Sequence, residues 1–141
     1  PYAKVGRLVY FGRMLDKLRL HAAGQLPPDY VPNLGKGFDS RCCTFLRVGY
    51  DDLQAHVLAH LAADDTAVLA WAEQRGGPRS DDECEIWNNF LSKRGWRDDA
   101  AAILAKRLKE SGLAGTPALT MFDYLDFDEG RDPVAARAWE A

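Results

Sequence analysis

The chain has 141 residues, of which 47% are hydrophobic and 28% are charged, as in an ordinary globular domain. Its formal net charge is −3 and its basic residues are dispersed, which argues against a nucleic-acid-binding protein. Membrane insertion is also unexpected, because no apolar run approaches the roughly 18 residues that cross a bilayer.

The first predicted helix runs from about residue 6 to residue 23. Its apolar residues recur at three- and four-residue steps and form one stripe for the core, with Leu8, Phe11, Leu15 and Leu18 along it. Residues 25–39 are rich in proline and glycine, so we expect one long irregular loop there.

The next segment is ambiguous between helix and strand. Asp39 or Ser40 could cap a short helix that ends near Val48, but the apolar run 43–48 also suits a strand. Two further helices are predicted to begin at residues 51–52 and 64–65, where aspartates can cap them.

Residues 80–83, Ser-Asp-Asp-Glu, form a capping-box sequence and predict a helix that ends before Gly95. A sixth helix is predicted from Asp98. A last one should begin at Thr116, with Pro117 in its first turn, and run to about Asp128. Together these elements predict a single all-α domain over residues 1–141. It should contain six or seven short helices, with residues 132–141 as a loose tail.

The polar edge of the first helix is the strongest candidate for a ligand site. Tyr10, Arg13 and Lys17 step by three and four residues and therefore line one edge of the apolar stripe, and Asp16 lies within reach of Arg13. Two cations beside a phenol could hold a carboxylate or phosphate of a small ligand. The alternative is a solvated helix face with a weak surface ion pair.

An acidic turn ends the last predicted helix. It contains Asp123, Asp126, Asp128 and Glu129, followed by Arg131. Carboxylates at a helix C-terminus meet the negative end of the helix dipole, so something should compensate them. Pairing with Arg13, Lys17 or Arg41 is preferred to a metal, because the spacing fails the calcium-loop pattern.

A transition metal on His56 and His60 is an alternative hypothesis. The two residues are four apart on a helix, which permits chelation, but no third ligand is near in sequence. We therefore predict no metal and no cofactor.

Cysteines and charge bear on location and partners. The count is three, with Cys42 and Cys43 adjacent, which suits reduced thiols in the cytoplasm, and the start of the chain lacks a signal-peptide pattern. Residues 1–50 carry eight Lys or Arg against three Asp or Glu (+5), and residues 51–141 carry ten against eighteen (−8). We expect these halves to neutralise each other within one chain or between two copies.

Several short strings also resemble those of a known bacterial family. They are Arg13-Met14-Leu15-Asp16-Lys17, Gly24, Trp87-Asn88, Arg94-Gly95-Trp96-Arg97-Asp98, and Phe122-Asp123 through Asp126 to Glu129-Gly130-Arg131. The family is DUF5069, a domain of unknown function, and the resemblance spans roughly residues 6–131. This resemblance implies a small, helical, cytoplasmic protein. It does not indicate any activity, cofactor or catalytic residue.

Two function hypotheses follow. The first is a binding or interaction module without chemistry, which as a homodimer could use Trp96, Trp139 or the 25–39 loop as an apolar contact. The second is a small-molecule enzyme or sensor. It needs Arg13 and Lys17 to hold an anion while Asp16, Asp123 or Glu129 transfers protons in the same pocket.

Overall fold

A computed structural model describes residues 1–137 and confirms the all-α prediction. Its helices are α1 Phe11–Ala22, α2 Phe38–Leu46, α3 Tyr50–Ala59, α4 Asp65–Gly76, α5 Asp81–Ser92, α6 Ala101–Glu110, α7 Met121–Asp128 and the short α8 Pro133–Ala136. None of the helices within residues 1–137 is long and apolar enough to cross a lipid bilayer.

A small antiparallel hairpin precedes α1, where the sequence predicted the start of the first helix. It pairs β1, Lys4–Val5, with β2, Leu8–Val9. Gly6 makes the turn with a φ of +55°, a left-handed conformation that glycine adopts without steric cost. The side chain of Asn88 in α5 accepts a hydrogen bond from the Val9 N–H and donates one to the Arg7 carbonyl, as a third strand would. The hairpin therefore depends on a partner about 80 residues away.

Helix α1 buries the stripe that the sequence predicted. Phe11, Leu15 and Leu18 are at most 1% exposed, and α1 packs against α3 and the hairpin. The residue before α1, Tyr10, has a φ of 72°, which is uncommon for a residue with a bulky side chain. This conformation turns the chain from β2 into the helix.

The predicted loop 25–39 is partly helical. A 3₁₀ helix forms at Pro28–Asn33, and α2 begins at Phe38 with Gly37 as its N-cap. Asp39 is therefore not the cap that we expected: it lies in the first turn of α2 and is fully buried. The helical alternative for the ambiguous segment is the correct one as far as Leu46, where α2 ends.

Local capping signals were correct for α4 and α5 but wrong for α3 and α6, whose N-caps are Gly49 and Ala100 rather than the predicted aspartates. Asp64 caps α4 by accepting a hydrogen bond of 2.8 Å from the Ala67 N–H, and Ser80 and Glu83 form the predicted capping box of α5. At the last long helix the prediction of Thr116 was wrong. Thr120 is the N-cap of α7. Its hydroxyl accepts a hydrogen bond from the Asp123 N–H, and the Asp123 carboxylate accepts one from the Thr120 N–H.

Residues 132–137 are not a loose tail. Asp132 caps α8 by accepting a hydrogen bond from the Val134 N–H, and Arg137 forms an ion pair with the buried Asp123. Residues 138–141, including Trp139, lie outside the described part of the chain. Trp96, the other suggested dimer contact, is 46% exposed.

Candidate functional site

The predicted polar edge of α1 lines a cleft of about 590 Å³, which we call the α1–α7 cleft. Its walls come from α1, the 3₁₀ helix, the start of α2, α6 and α7. The cationic and phenolic side chains along these walls include Tyr10, Arg13, Lys17, Lys36, Arg107 and Tyr124. Tyr30 and Phe38 add aromatic surface. The cleft therefore joins helices from the first third and the last third of the chain.

A buried ionic cluster supports one side of this cleft. The carboxylate of Asp39 accepts hydrogen bonds from the Tyr10 hydroxyl at 2.8 Å, the Lys17 ammonium at 2.7 Å and the Gly35 N–H at 3.0 Å. Burial, together with the Asp39 carboxylate, raises the pKa of Tyr10 well above its ordinary value. Tyr10 therefore stays protonated and donates to Asp39.

A second ionic cluster surrounds Glu129, just after α7. Arg13 binds both carboxylate oxygens of Glu129, and the Tyr30 hydroxyl donates to the same carboxylate at 2.8 Å. Arg131 adds a further contact at 2.6 Å. Burial alone would raise the pKa of Glu129, but the hydrogen bonds and charge of Arg13 lower it to about 2. Glu129 is thus a fixed anion at neutral pH and a poor proton donor.

Arg13 and Glu129 also line a neighbouring cavity. A second cleft of about 550 Å³, lined by Val5, Gly12 and Leu20, lies against the same Arg13 and Tyr30. Asp16 faces this second cleft instead of bonding to Arg13. Its charged partner is Arg19, at 3.7 Å. The expected Arg13–Asp16 pair is therefore wrong, because Glu129 occupies the guanidinium.

Two cations of the α1–α7 cleft have no ion pair within residues 1–137. These are Lys36, between the 3₁₀ helix and α2, and Arg107 on α6, and both are exposed. Asp29 and Asp128 lie on the same walls. In contrast, the charges of Arg13 and Lys17 are already compensated by Glu129 and Asp39. The uncompensated charges of the cleft are therefore two cations, Lys36 and Arg107, and two carboxylates, Asp29 and Asp128, so an anion would be attracted only where it lies nearer to the two cations.

The other acidic residues of the predicted site lie elsewhere. Asp123 accepts a hydrogen bond of 2.6 Å from the Tyr2 hydroxyl and lines a separate cavity together with Arg137. Asp126 is buried and accepts a hydrogen bond of 2.8 Å from Arg131. Arg13 and Asp123 line different cavities. The structure therefore does not support the hypothesis that both residues act in one reaction.

His56 and His60 stack on each other with ring centroids 4.3 Å apart, and His56 also stacks on Trp71. The His60 Nδ1 atom lies 2.9 Å from the His56 carbonyl oxygen. Within the described residues, no three His, Cys, Asp or Glu side chains come together as potential metal ligands. The two histidines thus form part of an aromatic stack at the surface.

Sequence reasoning missed Asp39, Tyr30, Lys36 and Arg107. Asp39 was interpreted as a cap, and the only signal for Lys36 was its place between two glycines, Gly35 and Gly37. Arg107 lies in the last turn of α6, where a cation also suits the negative end of the helix dipole, so its residue type alone does not indicate a ligand site. Their proximity arises only when the loop folds over α1.

Comparisons with known proteins agree with the resemblance noted in the sequence. Residues 1–131 match the family model described as Domain of unknown function (DUF5069). Because that match covers most of the chain, the protein belongs to this family. The comparisons with curated proteins and with solved structures gave no match.

Proposed function

We propose that this protein is a binding module for a small organic anion, held in the α1–α7 cleft. The observation that carries the proposal is that Lys36 and Arg107, which have no ion pair within residues 1–137, share one concave site with aromatic walls and a fixed polar cluster. Ligand sites in proteins typically combine an apolar lining with a few positioned polar groups.

The Asp39 cluster supplies a positioned donor. An ammonium group has three N–H donors, and two of those of Lys17 are used by Asp39 and the Tyr10 hydroxyl. The third is available to a ligand in the cleft that Lys17 lines. Because Asp39 holds the ammonium, binding would cost little side-chain entropy.

The shape and lining favour a ligand with a flat apolar part. Tyr30, Phe38 and Tyr124 contribute rings, and Met121 and Leu125 contribute aliphatic surface. A carboxylate or phosphate on such a ligand would reach Lys36 and Arg107, which favours an aromatic acid or a phosphate ester over a simple inorganic ion.

A thermal-shift assay with phenyl phosphate and benzoate tests this proposal. A ligand at 100 times its dissociation constant stabilises the folded state by about 2.7 kcal/mol. For a chain of 141 residues this raises the melting temperature by about 9 °C. Phenol and inorganic phosphate, which carry the ring or the charge alone, should give smaller shifts.

The matched variants are two double substitutions of equal charge. Lys36→Ala with Arg107→Ala should abolish the shift, whereas Lys106→Ala with Lys109→Ala, on the same α6 but outside the cleft, should preserve it. Equal losses in both variants, or no shift with any charged probe, would refute the proposal.

We also propose a cytoplasmic location. The three cysteines are buried and free, as expected in a reducing compartment. Microscopy of the tagged protein in its own cells would test this, and a signal confined to the cell envelope would contradict it.

A further inference from the structure

The outer face of α5 combines two exposed apolar residues with charges of opposite sign. At 100° per residue, five side chains fall within a 100° stripe of this helix. They are Asp82, Ile86, Asn89, Phe90 and Lys93, which we call the α5 stripe. The buried residues Cys84, Trp87 and Leu91 lie on the opposite side.

The centre of the α5 stripe is apolar. Ile86 is 70% exposed and Phe90 is 40% exposed, one helical turn apart. The outer face of an amphipathic helix is normally polar, so two large apolar residues this exposed are unusual for a single chain. The guanidinium groups of Arg41 and Arg94 lie over the Phe90 ring at 5.5 and 5.6 Å. Aromatic residues and arginine are enriched at protein interfaces.

The two ends of the α5 stripe are charged and unsatisfied. Asp82 lies in the first turn and Lys93 at the C-cap, and neither forms an ion pair with any residue of the described chain. Two other acidic residues of α5 have partners: Asp81 is bonded to Arg7, and Glu83 closes the capping box. Glu85, outside the stripe, also has no ion pair within residues 1–137, so what distinguishes Asp82 and Lys93 is that their opposite charges flank Ile86 and Phe90 on one face.

This pattern is complementary to itself in the antiparallel direction. If a second α5 packs antiparallel about a two-fold axis near residue 88, Ile86 faces Phe90 of the second copy. The Ile86–Phe90 pair is centred on residue 88 and the Asp82–Lys93 pair on position 87.5. The two centres differ by half a residue, about 0.75 Å of helix rise, so the same axis also places Asp82 opposite Lys93. An isologous contact repeats each pair twice.

We infer that the α5 stripe is a homodimer interface, in which a second copy of this chain packs α5 against α5 antiparallel. The apolar contact is central and the ion pairs lie at both ends, as in other interfaces with an apolar core and a charged rim. One helix pair buries less surface than the roughly 1,200 Å² of stable interfaces, so the dimer is weak and depends on concentration.

Sedimentation equilibrium over a range of protein concentrations tests the interface. The mean mass should rise from 15.7 kDa toward twice that value as the concentration increases. Ile86→Lys should weaken association at least about tenfold, because it buries a charge at the centre of the contact. Ile103→Lys is the matched control, since Ile103 is 52% exposed on α6 and should leave association unchanged.

Charge reversal tests the antiparallel register. Asp82→Lys places two cations opposite each other at both ends and should weaken the dimer about tenfold, as should Lys93→Asp. The double variant with both changes restores opposite charges and should return to within about threefold of the original affinity. Circular dichroism confirms the fold of each variant.

A monomer at every concentration would overturn the inference. A dimer that Ile86→Lys leaves intact would also overturn it, because the contact would then lie elsewhere. Failure of the double charge reversal to restore association would refute the antiparallel register. None of these outcomes bears on ligand binding, since no residue of the α5 stripe lines the α1–α7 cleft.

Discussion

Replacing Asp39 by alanine should be among the most damaging single changes near the candidate site. Its carboxylate is fully buried and accepts three hydrogen bonds, one of them from Lys17, whose side chain is only 12% exposed. Removing one partner of a buried ion pair leaves an uncompensated charge and typically costs about 3–5 kcal/mol. With an unfolding entropy of about 0.3 kcal/mol/K for 141 residues, the melting temperature should fall by about 10–17 °C.

Chemical denaturation of four proteins measures this effect: the original, Asp39→Ala, Lys17→Met and the double variant. The double variant should be at least about 1 kcal/mol more stable than Asp39→Ala alone, because it leaves no buried charge. Asp16→Ala is the control on α1 and should change stability by no more than about 0.5 kcal/mol, since its carboxylate is 68% exposed. A loss below about 1 kcal/mol in Asp39→Ala, or additive losses in the double variant, would refute the reasoning.

Three further predictions concern Glu129, Gly76 and Leu15. Because the pKa of Glu129 is lowered from 4.5 to about 2, its ionised form stabilises the fold above pH 4.5, and this stabilisation is lost as the pH falls toward 2. The free energy of unfolding, measured with urea at each pH, should therefore fall less steeply below pH 4.5 in Glu129→Gln than in the original protein. An equal fall in both proteins would contradict this. Gly76→Ala places a Cβ in steric overlap with the Leu46 carbonyl oxygen and should cost more than about 2 kcal/mol. Gly115→Ala meets open space and should be nearly neutral in the same denaturation assay. Equal losses of unfolding free energy in the two glycine variants would contradict this prediction. Leu15→Ala, in the core, should cost about 2–5 kcal/mol by denaturation, and a loss below about 1 kcal/mol would be inconsistent with its burial.

The sequence was informative where the structure depends on neighbours along the chain. Ser80 and Glu83 bond within one helical turn, as does Asp64 with Ala67, and both were recognised from residue spacing alone. The α1 stripe was also correct, because a 3.6-residue period directly reports which face of a helix is buried. The α7 cap was missed because Thr116 with Pro117 gives the stronger sequence signal, although Thr120 makes the bonds.

Errors arose where distant residues decide the outcome. Residues 6–9 fit a helical period, yet Asn88 and the turn at Gly6 fix them in a hairpin. Ile103 occupies a periodic apolar position on α6 but is 52% exposed, because periodicity does not show how far the neighbouring helices extend.

The candidate site was partly foreseen. Opposite charges on α1 and after α7 suggested an ion pair, and Arg13 does pair with Glu129. The partner of Lys17 was not foreseen, because Asp39 lies 22 residues further along the chain and beyond the 3₁₀ helix. Whether the cleft binds a ligand stays a prediction.

The most direct measurement is the change in backbone amide NMR shifts when phenyl phosphate is added to isotope-labelled protein. The proposal predicts the largest changes in α2 at Phe38, in α6 at Arg107 and in α7 at Tyr124, with none in the Lys36/Arg107 double variant. Changes confined to other surfaces, or none at millimolar probe, would contradict the assignment of the α1–α7 cleft as an anion-binding site.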